Sequence, residues 1–176
     1  MKVRLIALFL VFLTVVACNR RVETSQPTVT NTELMNQDST PLNTAIAVSK
    51  DRSVLVERSE EVDSVSADNA FTEPVKSQGR NLIIVYVTIG NTGKEFGSIF
   101  GTQLQLIDNE GRRYDAVQDL EEAVTINMWL DKRGLEHSTA QIFPGGKVQT
   151  AKVFRVSPNA FELKLLVNET SLMDIN

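Results

Sequence analysis

The feature that most constrains this chain is the apolar stretch at residues 81–89, with the sequence Asn-Leu-Ile-Ile-Val-Tyr-Val-Thr-Ile. One face of an extended chain carries β-branched residues here at every second position: Ile83, Val85, Val87 and Ile89. That period is typical of a strand, and the alternate residues Leu82, Ile84 and Tyr86 are mostly apolar too, so both faces should be covered. Turn residues follow at 90–93. We predict a central strand, since about nine residues are too few for a membrane-spanning helix.

The amino terminus has the organisation of a secretory signal peptide. Lys2 and Arg4 precede an uncharged apolar run at residues 5–16 that is too short for a comfortable membrane span. The run ends in Val-Val-Ala directly before Cys18, which resembles the lipobox of bacterial lipoproteins. The resemblance implies cleavage before Cys18, a diacylglycerol on its thiol and acylation of the new amino group. The alternatives are an ordinary signal peptide with a stray cysteine, or a short uncleaved anchor.

The sequence divides into four predicted regions. They are a signal peptide at 1–17, the lipidated cysteine and a flexible tether at 18–44, a folded domain at 45–168 and a carboxyl-terminal tail at 169–176. The tether is rich in Thr, Ser, Asn and Gln and cannot bury enough apolar surface to order itself. Its root-mean-square reach would be roughly 30 Å.

Charge and cysteine content exclude several partners. The chain has 18 basic and 22 acidic side chains, and loss of Lys2 and Arg4 with the signal peptide moves the formal charge from -4 to -6. An acidic excess argues against nucleic acid, whose phosphates need a basic face. Cys18 is the only cysteine, so the chain can form no internal disulfide and no cysteine metal cluster.

The predicted location follows from the lipobox and from the residue after it. In Gram-negative lipoproteins an aspartate after the lipidated cysteine favours inner-membrane retention, and this chain has Asn19. The resemblance therefore implies the outer membrane in a Gram-negative organism. In a Gram-positive organism it implies the outer face of the cell membrane.

The remaining pattern predicts short strands joined by turns. Alternating apolar residues favour strands within 45–56 and at 103–107, 147–156 and 161–167, the last with Phe161, Leu163 and Leu165 on one face. Residues 112–115 return as the partner of 103–107 across a tight turn that ends at Gly111, where a positive φ is wanted. About seven strands with no clear long helix predict an all-β sandwich.

Three segments together resemble one protein family. They are residues 85–95, residues 104–114, and the Phe-Pro-Gly-Gly turn at 143–146 with the strand at 152–156. They resemble the immunoglobulin-like domain of unknown function found in bacterial surface lipoproteins, sometimes mislabelled after a telomeric repeat-binding factor. The resemblance covers roughly residues 45–168 and implies an Ig-like β-sandwich. It implies no catalytic residues.

An acidic cluster and a single histidine are the candidate chemical sites in the sequence. Glu57, Glu60, Glu61 and Asp63 lie in a polar segment at 57–79 and suit either a cation site or a solvated loop. The loop is favoured because the Asp-x-Asp-x-Asp-Gly pattern of a calcium site is absent. His137 is the only histidine and is placed in a surface loop, since one histidine cannot hold zinc by itself. No metal and no cofactor is predicted.

The segment at 116–141 is ambiguous. The pattern favours a helical turn after Asp119 and an extended piece later. Met128, Trp129 and Leu130 either fill the core of the sandwich, which is the favoured interpretation, or form an exposed patch that contacts a partner.

Two classes of function remain. The first is a non-catalytic, lipid-anchored envelope protein whose Ig-like module has a structural role or binds an unidentified envelope protein. The alternative is a small-ligand carrier, or an enzyme with an internal pocket. Polar groups with perturbed pKa values converging in a cleft would favour the alternative. An exposed apolar patch rimmed by polar residues would favour the first.

Overall fold

The structure, a computed structural model, describes residue 34 and residues 37–176. The predicted signal peptide, Cys18 and most of the predicted tether lie outside these residues. The described elements are, in chain order, β1 (Ile46–Ser49), β2 (Arg52–Val62), β3 (Ser64–Val65), β4 (Val75–Lys76), β5 (Asn81–Asn91), β6 (Gly97–Ser98), a 3-10 turn (Ile99–Gly101), β7 (Leu104–Ile107), β8 (Arg113–Asp115), α1 (Leu120–Lys132), β9 (Gln141–Ile142), β10 (Lys147–Val156), β11 (Lys164–Val167) and β12 (Ser171–Asp174).

Two four-stranded antiparallel sheets make up the architecture. The first sheet has the strand order β1-β2-β5-β10, and the second sheet has the order β12-β11-β7-β8. Strand β5 pairs along its length with β2 on one side and with β10 on the other. The short antiparallel pairs β3–β4 and β6–β9 lie outside the two sheets. The predicted all-β sandwich and its central strand are both confirmed.

The main core lies between the two sheets. The β-branched row predicted for β5 faces it and meets Phe154 and Val156 of β10. The second sheet contributes Leu106, Leu165 and Met173, all fully buried. Burial of such side chains contributes about 1.5–3 kcal/mol each, which makes this layer the principal source of stability.

The opposite face of the first sheet is covered by helix α1. Leu82, Ile84 and Tyr86 of β5 pack there with Trp129 and Leu130, so the central strand is buried on both faces as predicted. The helix begins where the Asp119 carboxylate accepts hydrogen bonds from the Glu121 and Glu122 amides. It ends at Lys132, just before Gly134, whose φ is +67°.

The prediction for residues 116–141 was wrong in its second half. The chain does not become extended after one helical turn but continues as a 13-residue helix. Ile126, Trp129 and Leu130 follow the i, i+3, i+4 spacing of one helical face and are buried. The apparent alternation of residues 124–130 misled because Val124 and Met128, half of that row, are exposed.

Three of the four acidic residues lie in a strand and not in the predicted solvated loop, whereas Asp63 is exposed just after that strand. Glu57, Glu60 and Glu61 lie within β2, which bulges between Val56 and Arg58. Glu57 accepts hydrogen bonds from Thr88 and from Gln149. The Tyr86 hydroxyl donates to Glu60 at 2.6 Å. Two of these carboxylates therefore pair with neighbouring strands.

Both predicted domain boundaries move outward. Leu34 is fully buried with Ile107, Leu166 and Leu172 on the outer face of the second sheet. Thr40 donates its amide to the Leu172 carbonyl and accepts from the Asp174 amide, each at 2.8 Å. The folded part thus begins before residue 45, and residues 169–176 are no tail. Leu34 and Thr40 find their partners on strands far along the chain, which a local sequence pattern does not reveal.

The last predicted strand starts later than expected. Residues 161–163 precede β11, and Phe161 is exposed instead of lying on a buried face with Leu165. Glu162 adopts a φ of 51°, which interrupts the extended chain before Lys164.

The hairpin of β7 and β8 forms where the sequence predicts it. Gly111 has the expected positive φ, at 77°. The return strand is slightly shorter than predicted and runs over Arg113–Asp115.

Candidate functional site

A pocket of about 560 Å³ lies beside strand β10, where α1, the 3-10 turn and the chain after β8 meet. We call it the edge pocket. Its walls are mostly small and aliphatic residues with a minority of polar ones. They are Ile99, Gly101, Thr102, Gln103, Leu104, Asp115, Ala116, Val117, Gln118, Ala123, Ile126, Asn127, Leu130, Ser138, Ala151, Lys152 and Val153.

The pocket exists because β10 is an edge strand of the first sheet. The Val153 carbonyl accepts from the Val117 amide, and the Gln149 carbonyl accepts from the Glu136 amide, both at 2.8 Å. Ala151 lies midway between these two bonds and, by strand alternation, turns its backbone groups to the same edge. The chain thus closes the edge above and below Ala151 and leaves a gap there.

Helix α1 supplies one apolar wall. Ala123, Ile126 and Leu130 line the pocket at i, i+3 and i+7, which places them on one face of the helix. Ile99 and Leu104 line it from the side of the second sheet. A ligand in the pocket would therefore lie between the helix and the sandwich edge.

Lys152 brings a positive charge into this apolar setting. The side chain is partly buried, and within the described residues no carboxylate lies close enough to form an ion pair with it. Burial lowers the pKa of Lys152, because an ammonium loses hydration that nothing in its surroundings replaces. Such an unpaired cation is ready to bind an anion.

Thr102 brings an unsatisfied hydroxyl to the same pocket. The residue is 8% exposed, and its Oγ1 atom is buried without a hydrogen-bond partner. Unpaired buried polar groups are uncommon in native proteins and call for a reason, such as a group that binds there. The lining of the edge pocket thus includes one cation, one acid and several neutral polar side chains beside its apolar residues, and the Thr102 hydroxyl is the one buried group among them that has no hydrogen-bond partner within the described residues.

The three residues predicted as a possible partner contact lie in different environments. Trp129 is 3% exposed and belongs to the core under the helix, with Arg133 stacked 4.3 Å from its ring centroid. Leu130 is buried and lines the edge pocket, and only Met128 reaches the surface, at 37% exposure. The favoured core placement therefore describes Trp129 and Leu130, while a shared exposed patch is excluded.

An exposed apolar row runs along the outer side of α1. Leu120, Val124 and Met128 recur at every fourth residue and are 81%, 47% and 37% exposed. The loop between β3 and β4 adds Phe71, which is also exposed, and in the same loop the Asn69 Nδ2 atom lies 3.7 Å from the Met128 sulfur. We call the three helical residues the helix stripe.

Sequence reasoning missed Lys152 and Thr102. The sequence does mark Lys152 as unusual, because it shares its strand face with Phe154 and Val156, both of which point into the core. A lysine on the apolar face of a strand is unusual unless it is paired or functional. Thr102 had no comparable signal, since its missing partner is visible only in three dimensions.

The remaining candidates are His137, a metal site and a membrane-spanning helix. His137 is partly buried, and its Nδ1 lies 2.8 Å from the Thr139 hydroxyl. Over residue 34 and residues 37–176, no three His, Cys, Asp or Glu side chains come together in a way that could hold a metal ion. No helix of the described part is long and apolar enough to span a membrane.

The fold and the pocket define a β-sandwich that carries a helix on one face and a cavity at one edge. A conserved hypothetical protein from Bacillus anthracis has this fold, with a TM-score of 0.59 at 20% identity over 79% of this chain and 96% of that chain. An uncharacterised beta-sandwich protein from Clostridium difficile gives a TM-score of 0.52 at 13% identity, over 80% of this chain and 96% of that chain. The YjhA protein from Bacillus subtilis gives 0.51 at 15% identity, over 78% and 86%.

These similarities concern the fold alone, because the identities are low. A scan against protein-family models and a search of curated proteins both give no match. The resemblance to the Ig-like domain of surface lipoproteins therefore remains a prediction.

Proposed function

We propose that this protein is a lipid-anchored binding protein of the bacterial cell envelope, and that its sandwich holds a small molecule in the edge pocket without catalysis. The observation that carries the proposal is the pocket itself. Its volume of about 560 Å³ falls within the range of about 300–1,000 Å³ typical of ligand sites. Ten of its seventeen lining residues are apolar or glycine and seven are polar or charged, so the pocket offers both the apolar surface and the polar groups that a ligand site uses.

The anchor in this proposal is Cys18. The lipobox pattern before it supports cleavage and acylation, and Asn19 favours the outer membrane in a Gram-negative cell. Each methylene of an acyl chain that enters the bilayer contributes roughly 0.8 kcal/mol, so two or three chains bind almost irreversibly. The protein would then hold its ligand close to the membrane surface.

The small-molecule function is tested by what the protein carries when it is purified from its own membranes. The acylated chain is extracted with mild detergent and washed, and mass spectrometry then compares the small molecules released on denaturation. Ala123→Trp places a large ring in the wall of the pocket. Val124→Trp adds the same ring to the exposed side of the same helix and serves as the control.

We expect at least one compound to be enriched with the wild type and with Val124→Trp, and to be lost with Ala123→Trp. Circular dichroism of each variant establishes that the helix and sheets persist. Equal recovery from both tryptophan variants, or no enriched compound with any of them, would count against a pocket ligand.

The anchor is tested separately with a Cys18→Ala variant in the native host. Growth with an alkyne-bearing fatty acid labels acylated proteins, and we expect label on the wild type and none on the variant. The variant should also keep its full signal peptide. A labelled and normally processed Cys18→Ala chain would refute acylation at this residue.

A second candidate function is binding of another envelope protein, and the helix stripe favours it. An exposed apolar row on the solvent side of a helix is a surface that an apolar segment of a partner can cover. A photo-crosslinking residue at Val124 would trap such a partner. The double variant Leu120→Ser with Met128→Ser should abolish that crosslink, whereas Phe161→Ser, at an exposed site outside the helix, should not.

A further inference from the structure

We infer that the edge pocket binds a small organic carboxylate, with its charge held by Lys152 and Thr102 and its apolar body held against helix α1. This inference rests on the proposed pocket function and adds the chemical class of the ligand. It follows from the charge of the pocket, from its unsatisfied polar groups and from the placement of its apolar walls.

The sign of the ligand charge follows from the pocket's ionisable groups. The wall residues include one cation, Lys152, and one acid, Asp115. The Asp115 side chain is exposed and accepts a hydrogen bond from Gln105 Nε2 at 2.7 Å, so it is partnered outside the pocket's buried part. Lys152 has no such partner among the described residues, so its protonated form is stabilised by a ligand that brings a negative charge.

The size of the ligand charge follows from the single cation. A phosphate monoester or a dicarboxylate would bring about two negative charges to one ammonium and leave one of them uncompensated in an apolar site. A carboxylate brings one charge on two oxygen atoms. One oxygen would accept from the Lys152 ammonium. The Thr102 hydroxyl, which is buried and lacks a partner in the protein, would turn towards the pocket to donate to the other.

The apolar body of the ligand follows from the rest of the lining. Ala123, Ile126 and Leu130 offer an aliphatic surface on one side, and Ile99 and Leu104 offer another. A charged head without a tail, such as acetate, would leave these walls in contact with water. An aliphatic chain of moderate length would cover them and gain free energy from burial.

Burial lowers the pKa of Lys152. A bound carboxylate would restore a counter-charge beside the ammonium and raise that pKa again. Asp115 is the other ionisable group that lines the pocket, and its charge opposes the same ligand. Carboxylate binding should therefore be accompanied by uptake of protons at a pH near the pKa of Lys152.

The test compares three probes of one shape and three different charges. The full acylated chain is placed in phosphatidylcholine nanodiscs, and equilibrium dialysis measures binding of labelled hexanoate, hexanamide and hexylamine, with empty nanodiscs subtracted. We expect hexanoate to bind at least about tenfold more tightly than hexanamide, as a charge-assisted contact would give. Hexylamine should not bind measurably.

Variants then locate the charge. Lys152→Met should weaken hexanoate binding about ten- to hundredfold and leave hexanamide binding nearly unchanged. Lys147→Met removes the same charge from the exposed start of the same strand and should change neither. Thr102→Val should weaken hexanoate binding about fivefold, whereas Thr150→Val, which removes another buried unpartnered hydroxyl from a residue outside the pocket lining, should not.

The outcomes separate the inference from the proposal on which it rests. If hexanamide binds as tightly as hexanoate and Ala123→Trp abolishes both, the pocket binds ligands but the carboxylate assignment is wrong. If hexanoate binds equally to wild type and Lys152→Met, the assignment is also wrong. If none of the probes binds, the inference falls, while the proposed function is still decided by the compounds that the purified protein carries.

Discussion

The carboxylate of Asp108 is buried in the turn between β7 and β8 and accepts hydrogen bonds from four donors. These are the Tyr114 hydroxyl at 2.7 Å, Arg112 Nε at 2.6 Å and the amides of Glu110 and Arg112 at 3.0 and 2.9 Å. Burial by itself raises the pKa of Asp108, but the hydrogen bonds from Tyr114 and Arg112 outweigh it and hold the pKa below its ordinary value. This charge therefore stabilises the folded hairpin.

Asp108→Asn should destabilise the protein by about 1–3 kcal/mol at neutral pH, because the amide accepts fewer and weaker hydrogen bonds. The difference from wild type should be complete above the ordinary aspartate pKa of about 3.8 and vanish as the pH falls through the lower pKa of the folded state. Urea denaturation at several pH values measures it. The exposed neighbour is the control, and Glu110→Gln should shift stability by less than about 0.5 kcal/mol. Identical midpoints for Asp108→Asn and wild type would contradict this account.

We expect the unpaired ammonium of Lys152 to lower the free energy of unfolding, although it serves the proposed binding site. Because its pKa is lower in the folded than in the unfolded chain, the folded state holds this proton less well. Stability should therefore rise as the pH increases through the folded-state pKa towards the unfolded value.

Lys152→Met should raise the free energy of unfolding at neutral pH by on the order of 1 kcal/mol, since an apolar side chain replaces an unpaired, partly buried charge. Thermal unfolding monitored by circular dichroism gives the shift in Tm. Lys147→Met, at an exposed position, should leave Tm nearly unchanged. A lower Tm for Lys152→Met would mean that the ammonium has a stabilising partner in the fold.

At the scale of whole elements, periodicity predicted the strands well and the helix poorly. Strands β5 and β7 have apolar residues at period two along their length, so the sequence pattern and the buried faces agree. In β10 the row that faces the main core is interrupted by Thr150 and Lys152. The apolar residues of 120–132 fit both the i, i+3, i+4 spacing of a helix and the alternation of a strand. Which of the two forms depends on the surface against which the segment packs. Tyr86 and Ile84 of β5 provide that surface and receive Trp129.

Trp129→Ala tests whether α1 is held by this contact. Removal of the buried indole should destabilise the protein by about 3–5 kcal/mol, as for other large core residues. The neighbouring change Met128→Ala removes an exposed side chain and should cost less than about 0.5 kcal/mol. Guanidinium denaturation of both variants makes the comparison. Equal and small effects would place Trp129 outside the core.

The burial of Leu34 is a second feature that the polar composition of its segment does not reveal. Leu34 lies in a polar stretch, residues 30–40, in which Met35 is the only other apolar residue, so no period marks it, yet it is fully buried on Leu166 and Leu172 of the second sheet. Leu34→Ala should cost about 2–5 kcal/mol if it covers that face. Leu120→Ala is the control, because this leucine is largely exposed, and it should be nearly neutral. If Leu34→Ala leaves the free energy of unfolding unchanged, residue 34 belongs to the tether and not to the folded domain.

For the whole molecule, sequence predicted the class of fold and the order of its main strands. It did not predict the edge pocket, because that space arises from a gap beside Ala151 that neither β10 nor α1 encodes alone. The boundaries at residues 45 and 168 failed for a related reason. The order in both terminal segments comes from partners far away in the chain, and Thr40 and Leu172 meet only after the sheets have formed.

The link between Thr40 and β12 determines how the folded part would respond to mechanical load. In a chain tethered through Cys18, traction from the membrane enters the described fold at Leu34 and reaches Thr40 next. Thr40 pairs with Met173 as a parallel bridge, secured by two backbone hydrogen bonds. Traction would therefore strain the carboxyl-terminal strand first, whereas β5 lies in the other sheet and the lining of the edge pocket includes no residue of β12. The bridge between Thr40 and β12 would break before the edge pocket deforms.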